Sequence, residues 1–270
     1  MIGGFIYMKK IIALCTLVVM ACTLLVGCGG GDKTKAVDQS KKKIVVGLDD
    51  NFPPMGFKDD KNQIVGFDID MAKEAAKRLG REVEFKTIDW SSKEAELKSG
   101  RIDVLWNGLN ITEKRKANML FSDPYMDCKQ LIFVPVGSPI KGQADLVGKT
   151  IGMQSGSTAE ENLDADQKFK ESLKDVKKYA DCISAMMDLQ NGRIDAVVTD
   201  EVVGRYYMGK NKDKFIALET PVGPVGIFGI GFRKDDTALQ GEIQKALNEM
   251  KKDGVTAKIS EKWFGKDITK

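Results

Sequence analysis

The chain has 270 residues, with 42 Lys and Arg against 39 Asp and Glu, a formal net charge of +3 and 42% hydrophobic residues. That length and composition suit two domains of ordinary size with real cores, not a disordered polyelectrolyte, and the near-neutral balance without a basic block speaks against nucleic-acid binding. There is no histidine, which excludes Ser-His-Asp and Cys-His catalysis and histidine-ligated zinc; no metal and no cofactor is expected.

In chain order, Lys9 and Lys10 precede an uncharged apolar run from Ile11 to Val26. This is the pattern of a secretory signal, and it is shorter than the roughly 20 residues a membrane span needs. Met8 opens MKKII, a second candidate start. The run ends in Leu25-Val26-Gly27-Cys28, which resembles the lipobox of bacterial lipoproteins. The resemblance implies a signal peptide over 1–27, cleavage before Cys28, and acylation of that cysteine, palmitate included, as a membrane anchor. Residues 28–42 then read as the lipidated cysteine and a Gly- and Lys-rich flexible tether, with a reach of about 50 Å when extended. Cys128 and Cys182 remain; sequence does not decide between one disulfide and two thiols.

Lys42–Leu48 is predicted as a strand from its β-branched run. Asp68–Leu79 is predicted as a helix, with Ala72, Ala75, Ala76 and Leu79 on one stripe and Gly80 as its stop. Val83–Thr87 is a strand. Ser91–Lys98 is a helix opened by a Ser91/Glu94 capping box, and Ile102–Leu105 is a strand. The order returns with a strand at Lys149–Met153, a mostly helical stretch over Thr158–Lys170, a strand at Val176–Ala180, a helix at Ser184–Gln190 and a strand at Ile194–Val198. The segments Leu97-Lys-Ser-Gly-Arg-Ile-Asp-Val and Leu189-Gln-Asn-Gly-Arg-Ile-Asp-Ala echo one another at the same helix-to-strand junction. Alternating strands and helices imply an α/β architecture with mainly parallel pairing, built as two lobes of like construction. A strand at Gly229–Arg233 and a helix carrying Ile243, Ala246, Leu247 and Met250 close the chain, and this tail is expected to complete the first lobe.

The string GFDIDMAKEAAKRLG, then Trp90, SGRIDV, NITEKRK, FSDPY, DLVGKTIGMQSGST, NGRIDAVVTDE and DGVTAKISEKWFG resembles the extracytoplasmic solute-binding proteins (family 3) of polar amino-acid ABC transporters, lipoprotein type. The likeness runs in order from about Ile44 to Gly265. It implies the two-lobed periplasmic-binding-protein-like fold of type II, with two hinge crossovers: lobe one over 43–128 plus 223–270, lobe two over 129–222. It further implies a protein that is no enzyme and closes like a Venus flytrap on a free amino acid, which it delivers to the membrane subunits of an ABC permease for import. The expected setting is the outer face of the cell membrane, lipid-anchored and monomeric.

An α-amino acid presents a carboxylate and an ammonium, and both must be paired when water is removed. Arg115 read alone is a surface arginine between Lys114 and Lys116; the resemblance makes it the carboxylate fork. Ser157 and Thr158, at a helix start with Ser157/Glu160 capping-box spacing, are implied as the second carboxylate contact. Asp200, otherwise an N-cap, is implied as the ammonium partner with the Gly108 carbonyl and the Asn110 side chain. Asn110 departs from the Ser or Thr common in relatives. Phe52 and Trp90 fall at the stacking positions, with ordinary core as the alternative. Asp49 sits where an acid reaches the far end of the ligand, which favours a basic or amide side chain; its neighbour Asp50 confuses that assignment. The rival functions are an exported dehydratase or lyase on the same scaffold, and an amino-acid-sensing lipoprotein.

Overall fold

The computed structural model describes residues 43–270; the expected signal peptide, Cys28 and tether lie outside the described residues. Strand β1 (Lys43–Leu48) leads into a small antiparallel meander of β2 (Asn51–Phe52), β3 (Gly56–Lys58) and β4 (Ile64–Val65). Helix α1 (Phe67–Arg78), strand β5 (Glu82–Thr87), a 3-10 turn at Trp90–Ser92, helix α2 (Lys93–Lys98) and strand β6 (Val104–Leu105) follow. Next come α3 (Glu113–Lys116), β7 (Met119–Phe121), β8 (Met126–Cys128), β9 (Gln130–Pro135) and β10 (Thr150–Gln154). The second half continues with α4 (Thr158–Ala165), α5 (Gln167–Ser172), β11 (Asp175–Tyr179), α6 (Cys182–Gln190), β12 (Ala196–Asp200), α7 (Glu201–Lys210) and β13 (Phe215–Leu218). The chain closes with β14 (Gly226–Phe228), β15 (Gly231–Arg233), α8 (Thr237–Lys252) and α9 (Val255–Phe264).

Two five-stranded sheets form the two lobes, in the orders β5-β1-β6-β15-β7 and β11-β10-β12-β9-β13. In each, the first three strands are parallel and the remaining two pairings are antiparallel. Strands β8 and β14 leave these sheets and pair antiparallel with each other, Gly226 opposite Cys128. They are the two crossings of the type II fold.

The repeated Gly-Arg-Ile-Asp explains the likeness of the halves. Gly100 and Gly192 both take left-handed φ, 74° and 68°, which glycine adopts without a Cβ penalty. The aspartate three residues on then clamps the neighbouring central strand. Asp103 accepts from Val45 N–H at 2.9 Å and donates its own N–H to Val45 O. Asp195 does the same with Thr150, at 2.7 Å. One turn chemistry thus fixes strand register twice.

The tail returns to the first sheet. Strand β15 is inserted between β6 and β7, and Ile243, Ala246, Leu247 and Met250 share a core with Met71, Ala72, Ala75 and Ala76 of α1. Burying a large aliphatic side chain such as Ile243 contributes about 1.5–3 kcal/mol.

One local expectation needs correction, and two others are made definite. Ser91 and Glu94 do not form a capping box: Asp89 accepts from Ser91 N–H at 2.8 Å and starts a 3-10 turn, and α2 has no side-chain cap. The mostly helical stretch Thr158–Lys170 consists of two helices divided at Asp166, which accepts from Phe169 N–H at 3.1 Å and so caps the second. Cys128 and Cys182 are free, buried thiols. No helix of the described residues is long and apolar enough to cross a membrane.

Candidate functional site

Every residue singled out above as a ligand contact is buried, and these residues gather where the two sheets' loops face each other. Arg115 is 1% exposed, so it is not a solvated surface arginine. Thr112 caps α3 by accepting from Arg115 N–H, which places the side chain inward. Its Nη1 donates to Asn110 O at 3.0 Å and its Nη2 to Gly156 O at 3.2 Å. Nε lies 2.9 Å and Nη2 2.8 Å from Glu161 Oε1. Thr112 Oγ1 donates to Glu161 Oε2 at 3.1 Å.

Glu161 was not foreseen. It lies on the helix that Ser157 caps, and nothing in the spacing pairs it with an arginine so far away in sequence.

The loop Gln154–Thr158 brings the second lobe to Arg115. Ser157 caps α4 by accepting from Glu160 N–H at 3.2 Å. Glu160 returns to Gly156 N–H at 2.5 Å, one residue earlier than the usual box. Thr158, the first helical residue, has no carbonyl one turn back to receive its N–H, and the helix dipole adds positive potential there. Gly156 has φ +72°, and a Cβ on it would stand 2.9 Å from Ser91 Cα. The two lobes therefore meet here at backbone distance.

Asp200 ends β12. It starts α7 but makes no side-chain cap bond, which removes the alternative role. Its Oδ1 accepts from Gln130 Nε2 at 2.6 Å, Asn110 Nδ2 at 3.0 Å and Cys128 Sγ at 3.1 Å. Burial pushes the carboxyl up, against these donors and the nearby Arg115 charge. The Asn110 side chain was expected to accept; instead its Nδ2 donates to Asp200, and its buried Oδ1 has no partner. The bulk of Asn110 is accommodated by Gly226 on the crossing strand β14, where a Cβ would lie 2.2 Å from Asn110 Oδ1.

The Asp49 and Asp50 ambiguity has a geometric answer. Asp50 pairs with Lys58 at 2.5 Å and accepts from Thr87 Oγ1 at 2.9 Å, towards the surface. Asp49 is buried and accepts from Asn51 N–H at 2.9 Å and from Gln154 Nε2 of the second lobe at 2.7 Å. Burial pushes its carboxyl up to about 6, against those two hydrogen bonds. Gln154 is a further residue that sequence reasoning missed. It also donates to Ala180 O at 2.9 Å and accepts from Cys182 Sγ at 3.5 Å.

Gly108 has φ +57°, and its N–H donates to the fully buried Asp68 at 2.7 Å, which also accepts from Tyr125 OH at 3.0 Å. Burial pushes Asp68 up to about 7, against these two donors. A Cβ at Gly108 would stand 2.7 Å from Phe52 Cε1. Phe52 belongs to the cluster that also holds Cys182 and Val203 of the second lobe, and Trp90 to that of Ile88, Leu97 and Ile102. Phe52 is thus buried where the lobes approach, whereas Trp90 packs within the core of the first lobe.

The arrangement has a chemical polarity. Asn110 accepts from Arg115 through its carbonyl and donates to Asp200 through its amide. A cation and an anion therefore flank a single residue, a spacing suited to a molecule that carries opposite charges a few bonds apart.

Residues 44–266 match the family described as bacterial extracellular solute-binding proteins, family 3. The chain is 32% identical over 253 residues to the arginine-binding extracellular protein ArtP of Bacillus subtilis, covering 92% of this chain and 96% of the relative. A solved ABC uptake transporter substrate-binding protein from Streptococcus pneumoniae with bound histidine superposes with TM-score 0.82 at 36% identity, covering 86% of this chain and 96% of that one. An ancestral arginine-binding protein bound to arginine gives TM-score 0.78 at 44% identity, covering 83% and 99%.

Proposed function

The chain belongs to the bacterial extracellular solute-binding proteins, family 3, and on that premise we propose how it works. It binds a free polar amino acid between two closing lobes, outside the cytoplasm, and hands it to an ABC-transporter permease; it is a binding protein and not an enzyme. The observation that carries the choice of site is the placement of Arg115 and Asp200 on either side of Asn110.

In this reading Arg115 and the N–H groups at Ser157 and Thr158 take the ligand carboxylate. Asp200, through the Oδ2 that its three donors leave alone, takes the ammonium with the Gly108 carbonyl. Phe52 and Trp90 flank the aliphatic stem, and Asp49 with Gln154 meets its far end. A buried acid there favours a basic or amide side chain, since an opposite charge or donor compensates its desolvation. The lobes divide at the β8–β14 pair, with 43–128 plus 223–270 on one side and 129–222 on the other; the separate placement of the two sheets along the sequence supports this. Because neither lobe holds both charge partners, ligand stabilises the closed arrangement through its greater affinity for it. Cys28 is the lipid anchor and the protein works as a monomer.

The test is a thermal-shift screen of the twenty amino acids with cystine and ornithine. A ligand at 100 times its dissociation constant adds about 2.7 kcal/mol of stability. Stabilisation by arginine, lysine, histidine or glutamine is expected; no shift with any of them sinks the reading.

A further inference from the structure

A second first-lobe cation lies beside Arg115. Lys93 opens α2, yet it is only 4% exposed. Its Nζ donates to Gly156 O of the second lobe at 2.7 Å and to Trp90 O at 3.3 Å, and stands 5.3 Å from the Trp90 ring centroid. Gly156 O also accepts from Arg115 Nη2 at 3.2 Å. Two positive side chains of one lobe thus converge on a single carbonyl of the other, in the loop that delivers Ser157 and Thr158.

The charge balance at this point is unequal. Glu161 pairs with Arg115 through Nε and Nη2, so the guanidinium is already neutralised at the site, and its Nη1 and Nη2 are further engaged with Asn110 O and Gly156 O. Lys93 has no such partner. Among the described residues no carboxylate lies within salt-bridge distance of its Nζ. The groups facing it are Arg115 and Lys114 on α3, Glu161 on α4, Glu94 on its own helix and Asp89 at the start of the 3-10 turn. Burial first, and the Arg115 charge second, bring the ammonium down to about 8. A buried cation held only by carbonyls and an aromatic face is costly, and a carboxylate brought to Arg115 would relieve that cost.

We propose that Lys93 is a positioning residue for carboxylate recognition: it ties the Gly156 loop to the first lobe and supplies the positive charge that Glu161 removes from Arg115. With it, Arg115 and Lys93 face Glu161 and the ligand carboxylate as two cations and two anions. The inference rests on the function proposed above.

The experiment is calorimetric titration of the full chain with L-arginine and L-argininamide, which differ in the α-carboxylate; if another amino acid binds more tightly, it and its α-amide take their place. Lys93→Met is expected to weaken L-arginine about tenfold or more and argininamide less than twofold. Adding Glu161→Gln to that variant is expected to recover most of the loss, because Arg115 is then free to meet the ligand. The ratio of wild-type to Lys93→Arg affinity is expected to fall between pH 7 and 9, a comparison in which the ligand's own titration cancels and which stands by itself if Lys93→Met does not fold. Equal loss for both ligands, no loss for either, or a flat ratio overturns the role of Lys93 while leaving the binding function intact. Wild-type protein that binds no amino acid overturns both.

Discussion

Asn110 Nδ2 lies 3.0 Å from Asp200 Oδ1, a buried hydrogen bond that joins the loop after β6 in one lobe to the end of β12 in the other. A bond to a charged acceptor contributes about 1.5–3 kcal/mol, and here it favours the closed arrangement without any ligand. Asn110→Ala is therefore expected to enlarge the radius of gyration of the ligand-free protein in small-angle scattering. An unchanged radius would show that other contacts hold the lobes.

Arg115 carries the largest single consequence. Arg115→Ala removes the guanidinium from Asn110 O, Gly156 O and Glu161 together and leaves the part-buried Glu161 carboxylate without its cation. A loss of amino-acid binding of roughly 3–5 kcal/mol is expected, the scale for breaking a buried pair. Isothermal titration with L-arginine checks it, and affinity equal to wild type removes Arg115 from the site.

Asp49 gives a pH dependence with a definite sign. Its carboxyl is raised from 3.8 to about 6, mainly by burial. The folded state holds this proton more tightly than the unfolded one, so the group's contribution to stability is complete below about pH 4 and is lost as pH rises through 6. A cationic ligand reverses the preference by favouring the ionised acid. Affinity for L-arginine should rise from pH 5 to 7, with proton release near pH 6. In Asp49→Asn the rise should vanish. A pH-independent wild type would argue that Asp49 does not face the ligand's far end.

Gly156 tests the backbone approach of the lobes. Its φ is +72°, and a Cβ added there would lie only 2.9 Å from Ser91 Cα, so an alanine strains the turn and pushes the 3-10 segment away. Gly156→Ala is expected to weaken ligand binding about tenfold or more, while Gly192→Ala, also at positive φ but with open space around it, perturbs the turn without touching binding. Equal binding by both variants would place the closed contact elsewhere.

Much of the scaffold was legible because it is written in short-range chemistry. The α1 stripe, the glycine stops and the repeated Gly-Arg-Ile-Asp are local signals, and the last of these fixes two strand registers by the same hydrogen bonds. The Ser91/Glu94 box failed for an equally local reason: Asp89, two residues before Ser91, accepts from the Ser91 N–H and caps the turn itself. The ordered family motifs pointed to Arg115 and Asp200, although read alone each had a plainer explanation.

By itself the sequence determined the alternation of strands and helices and the doubled lobe plan, since these follow from residue type and spacing along the chain; which side chains are expected to grip a zwitterion came from the family resemblance. Only the tertiary structure decided which charges meet. Glu161 on Arg115, Gln154 on Asp49, Asn110 on Asp200 and Lys93 on Gly156 are contacts across a cleft, between segments brought together by two crossing strands. No periodicity encodes such pairs, because the field at each group depends on what the other lobe places beside it and on how completely the two exclude water.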